Sequence, residues 1–133
     1  MKKLLPLFIA ALLLVGCAAP AEQEVSYRQI TMDEAVSMMK EENNYIILDV
    51  RTVAEYNEKH IPGAINIPNE ANGTDAIPEL PDKEQLILVY CRSGNRSKQA
   101  SEKLVKLGYT NVVEFGGIID WPGETQTNEG GSL

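Results

Sequence analysis

Short apolar runs alternate with segments of helical period between residues 27 and 121. Tyr45-Ile46-Ile47-Leu48-Asp49-Val50 and Leu86-Ile87-Leu88-Val89-Tyr90 are nearly continuous apolar runs of strand length. Runs of that kind suit a parallel sheet that is covered on both faces. The second run is the more hydrophobic and belongs at the centre. Residues 27–30 and 64–67 read as short strands, the latter closed by Pro68. Residues 112–115 read as the last strand, after which Gly116-Gly117 turns into residues 118–121. Thr31 with Glu34, and Thr52 with Glu55, are spaced as capping boxes, which satisfy the free amides of a helix start. Ala35, Met38 and Met39 follow the first box at helical spacing and predict a helix over 31–42. The second box opens a short helix to about Lys59. His60-Ile61-Pro62-Gly63 is a turn, with His60 stabilising it. Residues 69–82 are rich in Pro, Asn, Asp and Gly and read as loop with a short helix. Ala100, Leu104 and Leu107 form the buried stripe of a helix that begins after Cys91, and Gly108 fits its C′ position. Trp121 packs the C-terminal segment. Strands alternating with helices imply one α/β domain with a parallel sheet.

The first residues follow a different logic. Lys2 and Lys3 precede an apolar stretch, 4–15, that is too short to span a bilayer comfortably. It ends in Leu14-Val15-Gly16-Cys17, which resembles the lipobox of bacterial lipoproteins. That resemblance implies cleavage after Gly16 and acylation of Cys17, with diacylglycerol and palmitate-type chains anchoring the protein to a membrane. The plainer alternative is a secretory signal in which Cys17 is incidental. The expected organisation is a signal peptide over 1–16, a small polar tether over 17–25, a folded domain over 26–121 and a disordered tail over 122–133. The expected location is an exported lipoprotein facing the periplasm or cell surface.

Charge narrows the partners. The 133 residues carry a formal net charge of -7, which becomes -9 once Lys2 and Lys3 are removed. Neither nucleic acid nor an anionic membrane surface is then an attractive electrostatic partner. Nothing in the sequence fixes the oligomeric state. The chain holds two cysteines and one histidine. No Cys/His cluster invites a metal, and no cofactor is implied. If Cys17 carries lipid, Cys91 has no partner for a disulfide within the chain and stands as a lone thiol.

Cys91 is followed by Arg92-Ser93-Gly94-Asn95-Arg96-Ser97. A cysteine at the end of a buried strand and the start of a helix sits where backbone amides converge. Such a position stabilises a thiolate and binds anions. At a pKa of ~8.5, only about 3% of a free cysteine is thiolate at pH 7. A shift to ~6 would make it about 90%. The loop amides and the guanidinium groups of Arg92 and Arg96 are the means available. Arg92 is a candidate oxyanion contact or a solvated side chain. Arg96 is a candidate contact or a brace for the loop. Gly94 permits a tight loop conformation. Asp49 ends its strand close to where Cys91 ends its own, and reads as holding the loop by hydrogen bonds. Arg51 and Glu55 are spaced to pair across a helix start.

Several markers in order resemble a single-domain rhodanese. They are Asp49-Val50-Arg51, Glu55-Tyr56, His60 to Pro68, Tyr90 to Ser97, Leu107-Gly108-Tyr109, and Gly116-Gly117-Ile118 with Trp121. The resemblance covers roughly residues 27–121. It implies a five-stranded parallel sheet with helices on both faces and an active cysteine in a cradle loop. It also implies a sulfurtransferase that moves sulfane sulfur from a donor such as thiosulfate, through a Cys91 persulfide, to a cyanide or thiol acceptor. The catalytic residue is then Cys91. Arg92, Ser93, Gly94, Asn95, Arg96 and Ser97 hold substrate, and Asp49, Arg51 and Glu55 support them. A phosphatase or arsenate reductase of the same fold resembles tyrosine phosphatases in needing Cys-x5-Arg. Here that arginine position is Ser97, and the cradle is one residue too short. A non-enzymatic module that carries persulfide or binds a partner is the other alternative.

Overall fold

The computed structural model describes residues 26–71 and 76–128. Five strands alternate with three α-helices: β1 (Arg28–Gln29), α1 (Met32–Glu41), β2 (Tyr45–Asp49), α2 (Val53–Glu58), β3 (Ile65–Asn66), β4 (Leu86–Cys91), α3 (Asn95–Lys106) and β5 (Val112–Gly117). Short 3-10 turns cover Asn69–Ala71 and Ile118–Asp120. The strands form one parallel sheet in the order β1-β5-β4-β2-β3, so the most hydrophobic strand lies at its centre.

Alternation along β4 divides the core in two. Ile87, Val89 and Cys91 join the cluster that holds Ala100 and Leu104 of α3. Leu88 and Tyr90 join the cluster that holds Ala35 of α1 and Tyr56 of α2. Successive strand side chains point to opposite faces, so a strand buried on both faces needs no polar positions. Helix α3 meets the sheet through Ser97, Ala100, Ser101 and Leu104, a stripe of helical spacing.

The helix ends follow the capping chemistry of the sequence. Thr31 Oγ1 accepts from the Glu34 amide at 3.1 Å. At α2 the box is reciprocal, with Thr52 and Glu55 each bonding the other's backbone amide. Gly108 follows α3 with φ at +96°, the left-handed conformation that glycine adopts without strain.

Four expectations change. Gly116 and Gly117 lie within β5 rather than forming a turn after it. Residues 122–128 are not a loose tail. His60 and Gln126 exchange backbone hydrogen bonds of 2.8 and 2.9 Å, and the Asn128 amide donates to Asn57 O at 2.9 Å. Polar composition hid this strap, because it is held by backbone groups rather than apolar side chains. Residues 129–133, the expected signal peptide over 1–16 and the whole tether over 17–25, Cys17 included, lie outside the described residues.

The other two changes concern ion pairs. Arg51 does not pair with Glu55. Its guanidinium meets the buried Asp49 carboxylate at 2.6 Å and donates to Lys59 O at 2.7 Å. Asp49 likewise does not bond the Cys91 loop. Its carboxylate takes the Arg51 group and the Tyr90 hydroxyl, the latter at 2.6 Å. Arg51 precedes the N-cap Thr52, so helical spacing does not apply to it, whereas residue Asp49 lies within direct reach. Glu55 instead meets Arg96 of α3 in a two-point bond of 2.6 and 3.0 Å.

Two predictions follow from packing and pairing. Leu104 is fully buried, so Leu104→Ala should lower unfolding stability by roughly 2–5 kcal/mol. Ile119, 62% exposed, should tolerate alanine within ~0.5 kcal/mol. Urea unfolding of both variants checks the contrast. Arg96 holds the Glu55 carboxyl down at about 2, against its ordinary 4.5. The folded state therefore binds that proton less readily than the unfolded chain. The stabilisation is complete above pH 4.5 and disappears as pH falls through about 2. The pair is partly exposed, so the gap between wild type and Glu55→Gln should be about 1 kcal/mol at neutral pH. It should close across that acid window in a pH series of unfolding curves.

Candidate active site

Cys91 is the last residue of β4, at the carboxyl end of the parallel sheet, where α/β proteins gather their ligands. The chain turns at once through Arg92, Ser93 and Gly94 and enters α3. Gly94 has φ at +113°, a conformation disfavoured for any residue with a Cβ. That turn brings the Gly94 amide to 3.0 Å from Cys91 Sγ. Ser97 Oγ, one turn into the helix, lies 3.4 Å from the same sulfur.

Burial pushes the Cys91 thiol up, because an ion loses hydration there. The Ser97 hydroxyl and the amides of Ser97, Gly94 and Ser93 act the other way, and the net position is below the ordinary 9.0. The thiolate is thus held by loop amides and a hydroxyl. Guanidinium groups contribute less than the sequence implied. Arg96 is turned to Glu55, which chiefly raises its affinity for its proton, with Cys91 a smaller influence. Arg96 braces the loop against α2 and is not free to meet a substrate as an unpaired cation. Asn95 is exposed at the first position of α3 and Ser93 is exposed in the turn, while Gly94 and Ser97 are buried.

Arg92 is exposed and helps to line a cavity of about 440 Å³ with Arg51, Glu55, Glu58, Lys59, Ile118 and Ile119. The two salt bridges among the described residues involve Arg51 and Arg96. Arg92 and Lys59 are therefore the uncommitted cations at this mouth. Lys59 escaped the sequence reading because it is one lysine at a helix end. Glu114 escaped it too. This carboxylate is 3% exposed, and its Oε1 lies 2.7 Å from Ser97 Oγ. Its signal was present: in β5 it alternates with the buried Val113 and Phe115, so it had to face the α3 side. Among the described residues, no group of three or more His, Cys, Asp or Glu side chains is placed to hold a metal.

Known proteins are similar to this chain in sequence and fold. The family model for the rhodanese-like domain matches residues 31–123. A thiosulfate sulfurtransferase, PspE, of Escherichia coli (strain K12) is 41% identical over 73 residues, covering 55% of this chain and 70% of its own. A putative sulfur carrier protein, YrkF, of Bacillus subtilis (strain 168) is 30% identical over 112 residues, covering 80% of this chain and 57% of its own. A solved structure of a rhodanese with anions from E. coli superposes with a TM-score of 0.57 at 37% identity, covering 62% of this chain and 98% of that one. With a five-stranded parallel sheet, a cradled cysteine and a family match across most of the described residues, this chain belongs to the rhodanese-like domain family.

Proposed function

We propose that this chain is a sulfurtransferase that carries sulfane sulfur on Cys91. The observation that supports it most is the convergence of the Ser93, Gly94 and Ser97 amides on Cys91 Sγ. In the first half-reaction the thiolate attacks the outer sulfur of thiosulfate. The S–S bond of the donor breaks, sulfite leaves with its electron pair, and a Cys91 persulfide remains. In the second, cyanide or a thiolate attacks the terminal sulfur. Thiocyanate or a new persulfide departs, and the Cys91 thiolate returns. Each state carries one negative charge in the cradle, which inward-pointing amides stabilise without a general base. Arg92 and Lys59 recruit the donor dianion locally, against the net charge of -7. The relatives named for thiosulfate sulfur transfer, and the related E. coli rhodanese solved with anions, support the same reading.

A second reading is sulfur carriage without turnover on small thiols. The B. subtilis relative named as a putative sulfur carrier favours it. So does the burial of Cys91, which is 1% exposed and so needs the loop to yield to an acceptor. Phosphate transfer is disfavoured, because Ser97 stands where Cys-x5-Arg needs arginine and Arg96 is committed to Glu55.

Incubation with thiosulfate should add one sulfur to Cys91 by mass spectrometry. Cys91→Ser should abolish both the adduct and thiocyanate formation; full turnover in that variant refutes the mechanism. Arg92→Ala should raise KM for thiosulfate by roughly tenfold with kcat less affected, the signature of a lost binding contact. A persulfide that forms but is never released to small thiols selects the carrier.

We also propose that Cys17 is acylated and holds the domain at a membrane. Among the described residues no helix is long and apolar enough to cross one. In fractionated bacterial cells the protein should sediment with membranes, and Cys17→Ser should release it. Retention of Cys17→Ser on the membrane overturns the anchor.

A further inference from the structure

Among the described residues two carboxylates are buried, Asp49 and Glu114. Asp49 is paired with Arg51, but Glu114 has no cation. Its Oε1 accepts from the Gly116 amide at 2.8 Å and faces the Ser97 hydroxyl at 2.7 Å. A Cβ at Gly94 would stand 3.9 Å from the same oxygen, so the carboxylate lies directly against the cysteine loop. Burying an ion without a counter-charge is costly, and such groups concentrate at functional sites.

Ser97 makes the connection to Cys91. Its hydroxyl has one hydrogen and four acceptors within reach. They are Glu114 Oε1 at 2.7 Å, Gly94 O at 2.9 Å, and Cys91 Sγ and Gly116 O at 3.4 Å each. That hydrogen cannot serve Glu114 and the thiolate together.

We propose that Glu114 is a positioning residue for the chemistry of Cys91. It competes with Sγ for the only hydroxyl hydrogen of Ser97, and its charge drives the negative charge of the cysteine outward, from Sγ to the terminal sulfur of the persulfide. This rests on the sulfurtransferase reading above for the loaded state, though not for the free thiol. In the thiolate state two anions compete for one hydrogen. After the thiolate attacks the donor and sulfite departs, Sγ is bonded to two atoms and neutral. The charge then sits one S–S bond, ~2 Å, farther out, beside the loop amides. Coulomb repulsion falls with distance, so Glu114 opposes the bare thiolate more than the persulfide. The hydrogen of Ser97 returns wholly to Glu114. The other charges around Cys91 are Arg92 in the loop, Arg96 of α3 with Glu55 and Glu70 acting on it, and the Asp49–Arg51 pair at and just after the end of β2. None of these contacts Ser97 Oγ.

The test is the pH dependence of iodoacetamide alkylation at Cys91 in the full chain, read on the Cys91 peptide by mass spectrometry so that Cys17 does not interfere. Glu114→Gln keeps the shape and removes the charge. It should move the alkylation midpoint down by about one pH unit, a tenfold gain in thiolate at low pH. Ser97→Ala should move it up. Glu114→Gln added to Ser97→Ala should shift it by less than half as much as in wild type, because the shared hydrogen is gone. Glu114→Asp, which keeps the charge, should stay near the wild-type midpoint. At a fixed ratio of thiosulfate to sulfite, Glu114→Gln should hold a smaller fraction of Cys91 as persulfide. A midpoint that is unmoved or raised in Glu114→Gln overturns the proposal, as does an undiminished shift in the Ser97→Ala background. If Glu114→Gln does not fold, Ser97→Ala decides, and an unmoved midpoint there is fatal. A wild type that alkylates as expected but never gains sulfur overturns the transferase reading and leaves the role of Glu114 to the titration.

Discussion

The loop after β4 closes on β5 with no space for a side chain between them. An ideal Cβ on Gly117 would fall 1.9 Å from Arg92 O and 2.5 Å from the Ser93 amide nitrogen. No residue but glycine fits unless the backbone moves. A hydrogen bond holds the same carbonyl beside it, since the Ile119 amide donates to Arg92 O at 3.3 Å. Because Arg92 is pinned outward by its carbonyl, the next two amides turn inward over Sγ. Gly94 completes the reversal at positive φ, α3 begins at Asn95, and Ser97 lies in its first turn. The anion cradle is thus a consequence of backbone touching backbone. The register supports it: Cys91 pairs with Gly117 across an irregularity that starts after Val89, so the strand end bends where the loop must leave.

Charge in the interior is arranged around that loop rather than within it. Asp49, Arg51 and Tyr90 form a buried network on the side of β2, which also ties in Lys59 O and the Ile61 amide. This fixes the chain from β2 to β3, one wall of the cavity at the mouth. Arg96 and Glu55 fix α3 to α2, the helix that contributes Glu55 and Glu58 to that wall. A guanidinium already neutralised by a carboxylate adds little attraction for an anion. In the proposed transfer, donor recruitment is therefore left to Arg92 and Lys59, whose flexible stems extend into solvent.

Much of this was legible in the sequence because it is periodic or local. Continuous apolar runs located β2 and β4, two threonines with glutamates three residues later located the starts of α1 and α2, and the stripe from Ala100 to Leu104 oriented α3. The cradle was legible because Cys91 to Ser97 are contiguous. Side-chain partners that are distant in sequence were not. Glu55 and Arg96 are separated by 41 positions, and nothing in either segment names the other. Arg51 misled because helical spacing was applied to a residue outside the helix. The 122–128 strap stayed hidden because it binds by backbone groups, which have no compositional signature. Glu114 lay between the two cases: strand alternation put it on the α3 face, and only its charge was out of keeping with a core position.

One of these distant residues, Glu114, bears on the reactivity proposed for the cysteine. Amides that stabilise a thiolate increase its population, but a thiolate stabilised too well is a poor nucleophile. The optimum lies where the thiol titrates near ambient pH, so a site that only accumulated donors would pass it. The cradle supplies donors from Ser93, Gly94 and Ser97, and burial opposes them; in the role proposed for it, the Glu114 carboxylate beneath Ser97 opposes them as well. In the proposed mechanism the same opposition distinguishes two anions that the amides alone would treat alike. The thiolate carries its charge on Sγ, close to Glu114, whereas the persulfide carries it one atom farther along the loop. A ring of amides with no charge behind it would bind both forms. A ring backed by a buried carboxylate favours the form whose charge lies outward, and that sulfur is also the one an acceptor must reach.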